Sequence, residues 1–190
     1  MSREDIFTTE KCCPGLSEIG KKYSIIYADP PWSYLWGKGG KFAPERHYPT
    51  MTTDEICSLN VKSLAEKNCV LLMWATMPCL PDAIRTIKAW GFKYKTCAFV
   101  WIKTKKDGQP LAGMGSYTKS NAEICLLAMR GHIKSADKTV RQIVMEPRGK
   151  HSEKPAEVRE RIVKLFGDLP RIELFARQKI DGWDCWGNEV

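Results

Sequence analysis

The chain has 190 residues, 30 Lys and Arg against 22 Asp and Glu, a net charge of +8, and 43% hydrophobic residues. That hydrophobic share excludes a disordered chain and is enough to build one core, so a single domain over residues 1–190 is expected. No apolar run approaches the ~20 residues of a membrane span, and the basic excess favours a polyanionic partner.

The charged start, Met1-Ser-Arg-Glu-Asp-Ile-Phe7, has no signal-peptide core, so the chain is expected to stay in the compartment where it is made. Eight cysteines are present without a C-x-x-C pair. That spacing argues against zinc, so no metal is expected, and reduced thiols are the default.

Residues 1–21 form a weakly patterned lead-in, where Leu16 and Ile19 could cover a sheet. Ile25 to Ala28 is a β-branched and aromatic run, the pattern of a buried parallel strand. Asp29-Pro30-Pro31-Trp32 follows at its carboxyl end, where α/β sheets bind ligands. The prolines stop the strand, and Asp29, preceding one of them, is held extended. A carboxylate, two fixed carbonyls and an indole then meet at one place. A carboxylate and the Pro30 carbonyl can each accept one hydrogen of an exocyclic amino group, which concentrates its lone pair and stabilises developing positive charge. Trp32 is expected to stack on an extruded base. The plainer reading is a Pro-Pro turn with a solvated acid.

Ser33–Thr50 is a long loop whose Trp36, Arg46, His47 and Tyr48 suit contact with a base or phosphate. Thr52-Thr53-Asp54-Glu55 starts a short helix. Cys69–Ala75 is a second buried strand. Pro78–Trp90 is an amphipathic helix ended by Gly91. Lys95–Ile102 is a third strand, with Lys103 at its end. Thr104–Lys119 is a second candidate substrate loop; its Gly113-Met-Gly115 lacks the strand-before, helix-after context of a dinucleotide motif.

Glu123–Met129 is a fourth strand, expected antiparallel to the third because no helix links them. Gln142–Met145 is a short strand. After a polar turn, Pro155 is expected at the first helical position, and the helix runs to Phe166. Arg171–Arg177 is expected as the last core strand, before an aromatic tail. Strands alternating with helices imply an α/β sheet with helices on both faces.

Three segments in order, Asp29-Pro-Pro-Trp32, His151-Ser-Glu-Lys154-Pro155, and Glu173-Leu-Phe-Ala-Arg177 with Gly187-Asn188-Glu189, resemble the MT-A70 family of adenine N6-methyltransferases over roughly residues 22–190. The resemblance implies a Rossmann-like methyltransferase fold with a mixed, mostly parallel sheet, and a permuted order that puts the catalytic motif ahead of the cofactor strand. It implies S-adenosylmethionine as cofactor and adenine in DNA, alternatively RNA, as acceptor. A bacterial or phage enzyme working in the cytoplasm is the matching expectation, as a homo- or heterodimer or alone.

Residue by residue, the resemblance gives catalysis to Asp29, Pro30, Pro31 and Trp32. It gives the cofactor to Lys154, Glu173, Leu174, Phe175, Ala176, Arg177, Asn188 and Glu189. Asn121 and Glu123 resemble a family pair near the acceptor pocket, with Lys103 and His151 beside them as substrate contacts. The acid that holds the cofactor's amino group in some members has no single match among Asp5, Glu10 and Glu18. A non-catalytic, nucleic-acid-binding partner subunit is the reading from another class.

Overall fold

The computed structural model describes residues 15–33, 49–113, 115, 117–149 and 153–190. Trp36, Arg46, His47, Tyr48 and His151 lie outside them, as do Asp5 and Glu10.

The apolar run after the lead-in is strand β1, Tyr23–Ala28, whose residues are almost all buried. Thr52 caps helix α1, Thr53–Ser58. Its hydroxyl accepts the Glu55 N–H at 3.3 Å, and the Glu55 carboxylate accepts the Thr52 N–H at 2.7 Å. This reciprocal box satisfies two N–H groups that the first turn would otherwise leave unpaired. Strand β2, Ala65–Ala75, starts four residues before the apolar run because Ala65 pairs with Tyr23 across a register shift. Helix α2, Leu80–Ala89, buries Ala83 and Ile87, and Gly91 at φ 82° turns the chain away.

Strands β3, Lys93–Thr104, and β4, Ala122–Arg130, are antiparallel, as expected from their helix-free link. Strand β5, Ile143–Pro147, lies parallel to β3. Helix α3, Ala156–Phe166, follows, with Gly167 at φ 89° behind it. Pro155 is its N-cap, not its first helical residue, with an extended ψ of 128°.

Strand β6 ends earlier than expected, at Arg171–Leu174, because Phe175 turns into the left-handed region at φ 61°. Nor is it the last strand. Asp184–Trp186 forms β7, parallel to β6, and three residues are too few to show an alternation in sequence.

The sheet order is β5-β3-β4-β2-β1-β6-β7, with β4 running against both neighbours. Alternate residues feed two cores. Ile26, Ala28, Leu71 and Met73 pack with Ile56, Ala83, Ile87 and Trp90 from α1, α2 and the turn after α2. Ile25, Tyr27, Val70, Leu72 and Trp74 pack with Val158, Ile162 and Phe166 from α3. Each Ile, Val, Leu, Met or Phe among them contributes about 1.5–3 kcal/mol on burial. Leu16 and Ile19 do join the first core. Helices thus cover both faces of a mixed, Rossmann-like sheet. Among the described residues no helix is long and apolar enough to cross a membrane.

One consequence positions the site. From β1 the chain crosses to β2 on one side and later returns to β6 on the other side. Their connections diverge at the carboxyl ends of β1 and β6, and such a switch point opens a crevice.

Candidate active site

Asp29 stands at that crevice, its N–H reaching the Leu174 carbonyl of β6 at 3.4 Å. The two prolines hold the following turn through carbonyls they can still offer. Pro30 O accepts the Trp32 N–H at 2.8 Å, and Pro31 O accepts the Met51 N–H at 2.8 Å. Met51 O accepts the Ser33 N–H at 3.1 Å in return. Each carbonyl oxygen has a second lone pair beyond the bond it accepts, and those bonds fix its direction.

Trp32 corrects an expectation. The residue is only 6% exposed, packed in the core, and its indole N–H donates to the Trp74 carbonyl at 3.0 Å. It anchors the turn against β2, a packing role rather than the open stacking platform expected.

The Asp29 carboxylate is the end of a line of alternating charge. Lys154 Nζ donates to Asp29 Oδ2 at 2.6 Å and lies 3.3 Å from Glu123 Oε2. The other Glu123 oxygen accepts from Lys103 Nζ. Two indoles line this row. Lys154 Nζ lies 5.6 Å from the Trp74 ring centre and Lys103 Nζ 5.1 Å from that of Trp101, both within cation–π range. Trp74 is fixed in turn by its N–H to the Tyr27 hydroxyl at 2.5 Å.

Burial alone would lower the Lys154 pKa, but Asp29 and Glu123 outweigh it and hold it above the ordinary lysine value. Burial would raise Glu123; Lys154 and Lys103 reverse that and hold it below the usual carboxylate range. Lys154 and Glu123 are therefore both charged near neutral pH.

On the β6 side the turn is drawn tight. Phe175 meets Trp186 edge-on at 5.5 Å, and the Ala176 N–H donates to the Trp186 carbonyl at 2.9 Å. A Cβ on Gly187 would fall 2.2 Å from the Ala176 carbonyl oxygen, so only glycine fits this crossing. The crossing sets Asn188 and Glu189 directly beyond the Phe175 turn.

Residues 23–189 match the family model MT-A70. The chain belongs to the MT-A70 family. A Mycoplasma protein, Type II methyltransferase M.MunI, is 38% identical over 90% of this chain and 78% of its own length. Human N(6)-adenine-specific methyltransferase METTL4 is 28% identical over 94% of this chain but 40% of its own. N6-methyladenosine RNA methyltransferase MTA1 of Pyricularia oryzae is 24% identical over 92% and 49% respectively. The chain thus spans less than half of the two eukaryotic relatives.

In this MT-A70 member the residues expected at the site divide into groups. Asp29, Lys154, Glu123 and Lys103 come together in the charged row. Asn121 lies just before β4, its carbonyl accepting the Lys103 N–H at 2.8 Å. Phe175 and Ala176 form the turn, Arg177 and Asn188 are half-buried beside it, and Glu189 is exposed. Leu174 is fully buried among core side chains.

Glu173 does not face the crevice as expected for a cofactor contact. Both its oxygens are taken by Arg159, at 2.6 and 2.8 Å, in a buried pair. Arg159 was not anticipated, although a lone acid in an apolar strand signals a buried cation partner. Of the three acids of the lead-in only Glu18 is described; its carboxylate accepts the Gly15 N–H at 3.0 Å in the turn before β1.

Proposed function

We propose that this chain methylates the N6 amino group of adenine in DNA, using S-adenosylmethionine, as a cytoplasmic enzyme. The single observation that carries the reading is the Asp29 carboxylate at the switch point, fixed by Pro30-Pro31 and paired with a cation. Membership of the MT-A70 family and the names of the Mycoplasma and human relatives support it.

The residues present suit such a cofactor. Lys154 engages only one oxygen of the Asp29 carboxylate, so the other is left to an amino group brought beside the cofactor's methyl. The Phe175–Arg177 turn would hold it on one side and Asn188 would supply an amide to its sugar hydroxyls. When bound, S-adenosylmethionine supplies an electrophilic methyl group.

The protein's own part is positional and electrostatic. Asp29 accepts one hydrogen of the adenine amino group through the oxygen that Lys154 leaves open. The Pro30 carbonyl, aimed by its bond to Trp32 N–H, accepts the other. Together they direct the nitrogen lone pair and stabilise charge as it develops there, without reorganising. Lys154, itself held by Glu123, keeps Asp29 in place. No residue need act as a nucleophile.

Labelled-methyl transfer to DNA and RNA, followed by digestion to nucleosides, tests the reading. N6-methyldeoxyadenosine is the expected product. The Pyricularia relative supports a second reading, in which the acceptor is adenosine in RNA. The sugar of the methylated nucleoside decides between them, and transfer to neither overturns both.

A further inference from the structure

Strands β3 and β5 end side by side. Thr104 pairs with Pro147, so the next residues, Lys105 and Arg148, leave the sheet together. The chain after β3 is fixed by its own bonds. Lys105 N–H donates to Gln109 O at 2.8 Å, Gly108 N–H to Lys105 O at 3.0 Å, and Leu111 N–H to Lys103 O at 2.8 Å. Between the two ends lies a cavity of about 440 Å³ lined by Thr104, Lys105, Lys106, Leu111, Pro147, Arg148 and Gly149.

Three cations line it and no acid does. Among the described residues none of the three makes an ion pair. Asp107, in the same turn, is folded onto its own backbone, accepting the Gln109 N–H at 3.0 Å. Two other cavities, of about 510 and 580 Å³, each have two acidic side chains in their walls. Of these three cavities the β3/β5 notch alone is lined by cations without an acidic side chain.

Its place matters as much as its charge. It opens on the edge of the sheet that carries Asp29, toward β5, away from the β6–β7 side. From β3 to β1 is three strand spacings and from β5 four, about 14–19 Å at roughly 4.8 Å each. At about 3.4 Å per nucleotide along a strand that is about four to six nucleotides.

We propose that the β3/β5 notch binds backbone phosphodiesters of the nucleic acid substrate, about four to six nucleotides from the target adenine. Lys105, Lys106 and Arg148 make the contacts. They carry no sequence information; they set where the strand lies, so that the target base reaches Asp29. This rests on nucleic acid being the acceptor.

The test is the triple variant Lys105→Ala/Lys106→Ala/Arg148→Ala in the full chain. All three residues are exposed, so the fold should survive. Binding of labelled 20-mer DNA and RNA of one sequence is read by fluorescence anisotropy over a range of salt. The variant should bind on the order of tenfold more weakly, and its salt slope should fall by about three. Cofactor binding should be unchanged. The two arms show whether deoxyribose or ribose backbones use the notch.

An unchanged salt slope with full binding would overturn the notch even if methyl transfer to DNA succeeds. Loss of binding in the variant, with no transfer by the parent protein, would keep the notch and sink the enzyme reading instead. A neutral methylphosphonate placed about four to six nucleotides from the target should weaken binding to the parent but not to the variant.

Discussion

Lys154 Nζ stands 2.6 Å from Asp29 Oδ2, although 125 positions separate the two in the chain. One is placed by the end of β1, the other by the N-cap of α3. The lysine is 9% exposed and the acid 25%, so their attraction is only partly screened. An acid meant to receive an amino group is thereby held in place before any ligand arrives.

Asp29→Asn keeps the shape and removes the charge. Methyl transfer should fall about 10²–10³-fold, the usual cost of losing one preorganised electrostatic contact. Cofactor binding by calorimetry should remain measurable. Activity equal to the parent would rule out the proposed role of the carboxylate.

Lys154→Met leaves Asp29 and Glu123 facing each other without their shared cation. Removing one partner from a buried ionic group costs about 3 kcal/mol, which for a domain of this size lowers Tm by about 6–12 °C. Differential scanning calorimetry reads the shift, and an unchanged Tm would show that the row is not coupled.

The pH dependence of the row has a definite sign. Glu123 is held below its ordinary 4.5, so its contribution is present above that value and lost as pH falls through the folded pKa. Lys154 is held above its ordinary 10.5, so its contribution is present below that and lost as pH rises through the folded pKa. The difference in Tm between the parent and Glu123→Gln should be constant from about pH 6 to about pH 9 and shrink toward about pH 3. A difference that grows on acidification would contradict the assignment.

Arg159 and Glu173 are 9% and 8% exposed. Arg159→Met should cost about 3–5 kcal/mol in urea unfolding, because it strands a buried carboxylate. The double variant Arg159→Met/Glu173→Leu should regain most of that and bind cofactor like the parent. Weakened cofactor binding in the stable double variant would restore Glu173 to the cofactor site.

Gly187→Ala and Gly108→Ala separate crowding from backbone strain. At Gly108 the φ is 81° and nothing lies within 4 Å of an added Cβ, so the cost should be about 1–2 kcal/mol. At Gly187 the Cβ meets Ala176 backbone at 2.2 Å, so the Phe175 turn must move. Cofactor affinity should drop only in the second variant, a contrast that equilibrium dialysis can measure.

Much of this was legible in the chain. The Ile25–Ala28 and Cys69–Ala75 runs, the Thr52 cap and the Gly91 and Gly167 stops are local signals, and the strands and helices follow them. Trp32, expected to stack, and Glu173, expected at the cofactor, each have a buried partner that no local pattern announces, Trp74 and Arg159. β6 stops short because Phe175 adopts a left-handed conformation that no periodicity announces.

The order of amino acids by itself determined the acid before two prolines, the alternation of strands and helices, and the family, since propensity, proline chemistry and motif spacing are local or ordered properties. Only the tertiary structure decided that Lys154 and Glu123 hold that acid, that Arg159 neutralises Glu173, and that Lys105, Lys106 and Arg148 share one notch. Those pairings depend on which strand ends the sheet brings side by side, and strand order is fixed by long-range packing that no short window of residues encodes.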